Sequence, residues 1–246
     1  MRIVVARDAT SAARAAAAFI GDRLTRALAR KRGATLAVSG GRSAMALFEA
    51  LAEQPLPWQA IDVLQVDERI VPSDHLARNW GLLARSPLAR HLAADRTHPI
   101  PIELGDPTRV VRRYAETLVT LAGDRPALDV VHLGLGPDGH TASLFRADPE
   151  TLSSRELVGA SGRHAGHARL TLTLAALNGA RSIVWLVTGA EKAAALAGLE
   201  RGDRALPAAW VEREHATCFA DEAAATALAR IADDRPRVHR TRGSAN

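Results

Sequence analysis

Short apolar runs alternate with longer amphipathic stretches along the whole chain. The short runs are typical of β-strands that are buried on both faces, and the longer stretches have the period of helices. The predicted strands cover residues 3–6, 35–39, 61–67, 128–134, 157–160, 169–172 and 182–188. The predicted helices lie near residues 9–32, 43–53, 79–92, 108–122, 173–179, 190–200 and 221–232. This alternation predicts an α/β fold, with a doubly wound, mostly parallel sheet and helices on both faces.

The alternation continues without an internal repeat, a low-complexity linker or a break in composition. We therefore expect one domain over residues 1–234. Residues 235–246 contain four arginines and no acidic residue, and we expect them to form a basic, disordered tail. The longest apolar runs are far shorter than the roughly 20 residues that cross a bilayer, so no membrane partner is expected.

Charge and cysteine content narrow the class of protein. The 246 residues include 32 basic and 27 acidic side chains, a formal net charge of +5. Without the four tail arginines the two signs nearly balance, and no aromatic residue alternates with those arginines, so we expect no nucleic-acid partner. Cys218 is the only cysteine, which excludes an intrachain disulfide and is consistent with a reducing, cytoplasmic location.

In open parallel sheets, ligands bind beyond the carboxyl ends of the strands. The second predicted strand ends in Ser39, Gly40, Gly41, Arg42 and Ser43, which lead directly into a helix. The two glycines allow a ligand to approach the backbone, and the helix start favours an anion, above all a phosphate. A plain turn with Ser43 as the helix N-cap explains the same residues equally well.

The third predicted strand ends in three ionisable residues, Asp67, Glu68 and Arg69. Charged groups at the edge of a buried strand cost free energy unless they are paired or used. A salt-bridged turn is the structural alternative, and we favour a functional site. Asn79 belongs to a polar loop downstream, which we expect to reach the same site.

The fourth predicted strand leads into Gly134, Gly136 and Gly139, which match the dinucleotide pattern Gly-x-Gly-x-x-Gly. A nicotinamide- or flavin-dependent oxidoreductase is therefore an alternative. The position of the motif argues against it, because the pattern belongs to the opening strand of a dinucleotide fold. The helix that should follow is also expected to be cut short by Pro149.

The same turn carries Asp138 and His140, an acid-base pair that a pyrophosphate cradle does not need. An imidazole beside a carboxylate suits general-base activation of a water molecule. An exposed histidine next to a turn aspartate is the structural alternative.

Two cations follow later in the chain. Arg169 opens a predicted strand, and Lys192 lies in the first turn of a helix. A lysine there opposes the helix dipole, so an anionic ligand explains it better than helix stability does. His164 and His167 have a spacing that suits a metal ion, but no third ligand is evident and we expect no metal.

These segments together resemble the 6-phosphogluconolactonase family from the first strand to about residue 234. The resemblance is carried by residues 39–41, Trp58, 67–69, Asn79, 133–145, 169–171, 188–192, Pro207 and 219–223. It implies the fold shared with glucosamine-6-phosphate deaminases. It also implies hydrolysis of 6-phospho-D-glucono-1,5-lactone to 6-phosphogluconate, in the oxidative pentose phosphate pathway, without an organic cofactor.

Two alternatives remain within this fold: a glucosamine-6-phosphate deaminase or isomerase, and a non-catalytic sugar-phosphate-binding protein. Deaminases usually continue the turn as His-Ile-Ala-Phe-Asn-Glu-Pro, whereas His140 is followed here by Thr-Ala-Ser-Leu-Phe. Arg69 also stands where deaminases typically have an aromatic residue. Both differences favour the lactonase. Three positions depart from the lactonase pattern: Arg146 replaces a proline, Arg78 replaces a serine, and Ser43 stands where threonine is frequent.

On this hypothesis His140 is the general base and Asp138 orients it. Arg69 stabilises the oxyanion, and Asp67 holds either Arg69 or the water. The phosphate is expected to bind Gly40, Gly41, Arg42, Ser43, Arg169 and Lys192, and further substrate contacts are expected from Ser39, Glu68 and Asn79. We expect a small sugar phosphate as the partner and a monomer or a weak homo-oligomer.

Overall fold

Ten strands and eight α-helices follow one another in the computed structural model, which describes residues 1–123 and 127–233, with side chains up to residue 228. The strands are β1 (Arg2–Ala6), β2 (Ala34–Val38), β3 (Ile61–Gln65), β4 (Asp67–Arg69), β5 (Thr97–His98), β6 (Val130–Leu133), β7 (Val158–His164), β8 (His167–Leu172), β9 (Ile183–Val187) and β10 (Ala216–Asp221). The helices are α1 (Ala9–Leu28), α2 (Ala44–Ala52), α3 (Asn79–Ala84), α4 (Pro107–Ala122), α5 (Pro149–Ser153), α6 (Leu174–Asn178), α7 (Ala193–Arg201) and α8 (Glu222–Asp233).

Seven strands form one sheet in the order β1-β10-β9-β6-β2-β3-β5, and every neighbouring pair is parallel. Alternate residues of the central strands enter two separate cores, as a sheet covered on both faces requires. In β2, for example, Leu36 and Val38 pack with α1 and α2, whereas Ala37 packs with α4, α6, α7 and α8. The predicted doubly wound α/β fold is confirmed.

A second sheet of three antiparallel strands, in the order β4-β8-β7, was not predicted. Residues 61–67 read as one strand, but the chain leaves the parallel sheet after β3 and begins the second sheet at Asp67. The register places Arg69 directly opposite Arg169. The small sheet therefore brings two distant segments of the chain to the same side of the molecule.

Proline and glycine positions explain several element boundaries. The predicted helix 79–92 ends as α3 at Ala84, and a short 3-10 helix (Pro87–His91) follows, because Pro87 cannot donate to the preceding turn. Pro149 begins the short helix α5, at the first helical position, rather than ending a longer helix. No α-helix begins between Gly134 and Pro149, which corrects the expectation of a helix interrupted at Pro149.

No helix in the described ranges is both long enough and apolar enough to span a membrane. The arginine-rich residues 235–246 lie outside the described residues. The division into a domain over residues 1–234 and a tail stays a prediction.

Candidate active site

The carboxyl ends of β2, β6, β9 and β10 open onto a cavity of about 550 Å³. Eleven of the thirteen residues proposed from the sequence line it: Ser39, Gly40, Gly41, Arg42, Ser43, Asp67, Asn79, Arg69, His140, Arg169 and Lys192. Glu68 and Asp138 do not line the cavity. The predicted segments therefore converge on one site although they are far apart in the chain.

The loop between β2 and α2 forms one wall of the cavity. Gly40 lies so close to Asn79 that a Cβ atom there would overlap the Asn79 side chain, and Gly41 has a φ of 104°. Ser43 occupies the N-cap position of α2, but its hydroxyl makes no capping bond and instead lies 2.9 Å from the Thr188 hydroxyl. The free donors of the first helical turn therefore remain available to an anion in the cavity.

The turn at residues 134–140, called the catalytic turn below, places the His140 imidazole on the cavity wall. Nδ1 of His140 lies 2.5 Å from Oδ1 of Asp138, and a Cβ atom at Gly136 would overlap both of these side chains. Partial burial acts to raise the pKa of Asp138, but the hydrogen bonds and charge of His140 outweigh it and lower that pKa. Asp138 is thus an ionised acceptor that orients His140, while His140 itself faces the cavity.

The Gly-x-Gly-x-x-Gly turn also excludes the dinucleotide alternative on geometric grounds. The space beside Gly136 is filled by the turn's own His140 and Asp138. The chain does not enter an α-helix directly after the turn, because α5 begins only at Pro149. A pyrophosphate needs both the open backbone and the helix start.

Asp67 is buried at the cavity wall. Ser143 donates to Oδ2 of Asp67 at 2.7 Å, and the amide of Asn79 donates to Oδ1 at 3.2 Å. Burial raises the pKa of Asp67, against the hydrogen bond from Ser143 and the charge of Arg69. The Arg69 side chain donates instead to the main-chain oxygen of Ala77 at 2.5 Å. Ser143 and Asn79, rather than Arg69, therefore hold Asp67, which corrects one of its two expected contacts.

Glu68 is fully buried and does not face the cavity. Its carboxylate accepts five hydrogen bonds at 2.8–3.1 Å, from the main-chain N–H groups of Arg69, Asn79 and Trp80 and the side chains of Gln65 and Arg78. The Glu68 carboxylate is therefore occupied by hydrogen bonds from other groups of the protein. The expected contact between Glu68 and substrate is therefore corrected to a structural role, and Arg78 is explained as its buried counter-charge.

Arg69 and Arg169 face each other across β4 and β8, and both line the cavity. The Nε atom of each is buried and has no partner in the described part of the chain. Burial lowers the pKa of Arg169, and the nearby charge of Arg69 lowers it further. Like charges directly opposite each other destabilise a sheet, so this pair is suited to an anionic substrate in the cavity.

A second pair of cations, Arg42 and Lys192, also lines the cavity. Arg42 is mostly exposed and forms an ion pair with Glu191 at 2.7 Å. Lys192 lies at the N-cap of α7. Burial lowers the pKa of Lys192, and the charge of Arg42 lowers it further.

Several cavity residues escaped the sequence analysis. His132 lies on β6, and both of its ring nitrogens are buried and have no partner among the described residues. Burial lowers the pKa of His132 to about 3, so the ring is neutral. The available signal was a polar residue within an apolar strand.

Asp221 was also missed, although the segments 188–192 and 219–223 both belonged to the resemblance. It lies at the end of β10, which we had not predicted as a strand. Its carboxylate accepts from the main-chain N–H of Gly189 at 3.1 Å and from that of Ala224 at 2.8 Å. Asp221 therefore fixes the loop that precedes Lys192 and caps the start of α8.

A sequence model of the family described as glucosamine-6-phosphate isomerases/6-phosphogluconolactonase matches residues 7–220. The chain belongs to this family.

Family members resemble the chain in both sequence and structure. A 6-phosphogluconolactonase from Synechocystis sp. is 41% identical over 179 residues, which cover 71% of this chain and 74% of that protein. The crystal structure of 6-phosphogluconolactonase from Thermotoga maritima has a TM-score of 0.79 and 28% identity, covering 89% of this chain and 98% of that one. A monomeric glucosamine-6-phosphate deaminase has a TM-score of 0.78 at 21% identity, covering 92% and 100%, and shows the shared fold alone.

Proposed function

We propose that this member of the family is a 6-phosphogluconolactonase. It hydrolyses 6-phospho-D-glucono-1,5-lactone to 6-phospho-D-gluconate, a step of the oxidative branch of the pentose phosphate pathway. The observation that carries the proposal is that His140, which is hydrogen-bonded to Asp138, lines the same cavity as two pairs of cations. A base together with anion-binding groups is what hydrolysis of a phosphorylated lactone requires.

The phosphate binds at the start of α2. It accepts hydrogen bonds from the main-chain N–H groups of Gly40, Gly41 and Ser43. Arg42 and Lys192, which line the same cavity, supply positive charge. Arg169 completes the anion site from the small sheet. These contacts hold the ring in the ground state and the transition state alike, so they position the substrate rather than lower the chemical barrier.

His140 acts as the general base. With the ionised Asp138 accepting from Nδ1–H, the other ring nitrogen, Nε2, carries a lone pair. It takes a proton from a water molecule as the water oxygen attacks C1 of the lactone. The tetrahedral intermediate then collapses, the bond from C1 to the ring oxygen breaks, and the proton passes from His140 to that oxygen. Asp67 is the second acceptor on the cavity wall and holds the attacking water.

Arg69 stabilises the oxyanion that forms at C1. Its guanidinium is fixed by the hydrogen bond to Ala77 and by its strand position opposite Arg169. A donor held in place before the reaction costs no reorganisation when negative charge develops. The two arginines therefore divide the work, with Arg69 at the carbonyl and Arg169 at the phosphate.

The decisive experiment is a coupled assay on fresh 6-phosphogluconolactone, corrected for spontaneous hydrolysis. We expect His140→Gln to lower kcat by about a hundredfold to ten-thousandfold, because the amide cannot accept the proton. The control is His91→Gln, which changes a histidine in the distant 3-10 helix (Pro87–His91) and should leave kcat unchanged.

Ammonia release from glucosamine 6-phosphate is measured beside it. Unchanged lactone turnover in His140→Gln would remove His140 from the mechanism. Ammonia release without lactone turnover in the wild type would assign the site to a deaminase. Binding of 6-phosphogluconate with neither activity would assign it to a non-catalytic binding protein.

A further inference from the structure

The hairpin between β7 and β8 brings one more histidine to the catalytic turn. His164 and His167 flank a two-residue turn in which both Ala165 and Gly166 have positive φ, the geometry of a type I′ hairpin. The sequence spacing pointed to these two histidines as partners of each other. In the structure, the His164 ring instead lies 5.5 Å from the His140 ring, while His167 packs edge-on against His75.

Three contacts fix His164 in this position. Its ring stacks on Phe145 with centroids 4.0 Å apart and planes inclined by 15°. Its main-chain oxygen accepts a hydrogen bond from Arg169 at 3.2 Å. The short turn holds the backbone on both sides. The imidazole therefore meets the catalytic turn as part of the folded structure, without a mobile loop.

One ligand atom each from Asp138, His140 and His164 lie within 4.8 Å of one another. Two imidazole nitrogens and a carboxylate oxygen form a common donor set for Zn²⁺, whose tetrahedral ligands stand about 3.3 Å apart. To bind the ion, the three groups have to approach one another from within 4.8 Å to about that spacing. The fourth coordination position is left for water or for an oxygen of a bound anion.

We propose that Asp138, His140 and His164 form an inhibitory site for Zn²⁺ or a similar borderline transition-metal ion. The ion takes an oxygen of Asp138 and displaces the proton from Nδ1 of His140. That proton moves to Nε2, which then has no lone pair to accept a proton from water. Both groups are then withdrawn from proton transfer, and hydrolysis stops while the ion is bound. Two of the three ligands thus come from the catalytic turn, and His167, which the sequence spacing had paired with His164, is not one of them.

Metal binding is tested with the full chain in a non-chelating buffer, by calorimetric titration with Zn²⁺ alone. Co²⁺ serves as a spectroscopic probe, because tetrahedral Co²⁺ absorbs strongly in the visible range. His164→Phe keeps the stack on Phe145 but removes the ligand. This variant should weaken Zn²⁺ binding by at least about tenfold, since losing a residue that only hydrogen-bonds to a metal ligand already lowers metal affinity by about that factor. His164→Ala is the second variant, and circular dichroism checks that both variants fold.

The matched control is His167→Phe, at the other end of the same turn, which should bind Zn²⁺ as the wild type does. If both His164 variants keep the wild-type Zn²⁺ affinity and Co²⁺ spectrum, the site is wrong. Loss of binding in His167→Phe alone would overturn it as well, because the ion would then belong to His75 and His167.

The inhibition rests on the proposed lactonase function, whereas the binding does not. In the lactone assay we expect Zn²⁺ to inhibit the wild type, a chelator to restore activity, and His164→Phe to need at least about ten times more Zn²⁺. Without Zn²⁺, His164→Phe should keep the wild-type kcat. A chain that binds Zn²⁺ through His164 but shows no lactone turnover contradicts the proposed function and leaves the metal site standing. Zn²⁺ that binds without inhibiting overturns the inhibitory role.

Discussion

Arg42 and Lys192 stand at the same wall of the cavity but differ in what surrounds them. Arg42 is mostly exposed and paired with Glu191. Lys192 is more buried, and its lowered pKa shows that its charge is poorly solvated. A partly desolvated cation gains more from an arriving phosphate than a solvated, paired one does. Lys192 is therefore the stronger anchor of the two.

We expect Lys192→Met to raise KM by about ten- to hundredfold with little change in kcat, because one hydrogen bond to a charged group is worth about 1.5–3 kcal/mol. Steady-state kinetics on the lactone measures both constants. Arg26→Met is the control, since Arg26 is an exposed cation on α1 that pairs with Asp22. A large fall in kcat at constant KM would instead place Lys192 in the chemical step.

Site residues could be predicted from the sequence where ionisable side chains cluster at the end of an apolar strand. Asp67, Arg69, His140 and Lys192 all interrupt or follow apolar runs, and all four line the cavity. The contacts between them could not be predicted, because Ser143 and Asn79 reach Asp67 only through the folded chain. Glu68 shows the limit of the method: its neighbours in sequence face the cavity, but its own side chain points into the protein.

At the scale of elements, β4 depends on the buried carboxylate behind it. Glu68 accepts the first N–H groups of α3 and also pairs with Arg78, which is itself buried. One side chain therefore joins β4, the loop that follows and α3. The position of Arg69 in the cavity depends on this junction.

We expect Glu68→Gln to lower the free energy of unfolding by about 3–5 kcal/mol, because it leaves the buried Arg78 charge without its main partner. Urea titration at neutral pH measures the loss. Glu103→Gln is the matched control: it removes the other partner of Arg78, an exposed carboxylate, and should cost less than about 1 kcal/mol. Equal losses in the two variants would show that Glu68 is not the essential partner.

The strands β4, β5 and β10 could not be predicted because none of them contains a run of branched apolar side chains. β4 is three charged residues, and β5 is only two residues long, so neither has a periodic pattern to detect. β10 contains small residues and one cysteine, and it is a strand because β1 and β9 enclose it. The strands with branched apolar side chains, such as β9, could be predicted because burial on both faces demands them.

At the scale of the whole molecule, His132 links stability to acidity. Its ring lies within the sheet and is only 1% exposed. Its folded pKa of about 3 lies below the ordinary value of 6.5. The unfolded chain therefore binds a proton between these two values and the folded chain does not. The resulting stability is complete above about pH 6.5 and is lost as the pH falls toward 3.

We expect His132→Leu to flatten this dependence. Relative to the variant, the wild type should lose about 1.4 kcal/mol of unfolding free energy for each pH unit below about 6.5. Urea titrations between about pH 7.5 and about pH 4.5 measure the difference. At the upper end of that pH range the variant should be at least as stable as the wild type, because it removes two buried nitrogens without partners among the described residues. Parallel curves for the two proteins would show that His132 titrates normally in the folded chain.

The first strand pairs with the last one, since β1 lies at the edge of the sheet beside β10. During synthesis β1 is made well before β10, so it lacks this partner until residues 216–221 have been made. Pairing between such distant segments slows folding. Asp221, which fixes the loop before Lys192, arrives on that same last strand. The active site is therefore completed only after β10 has been made, so a chain truncated before β10 cannot build it.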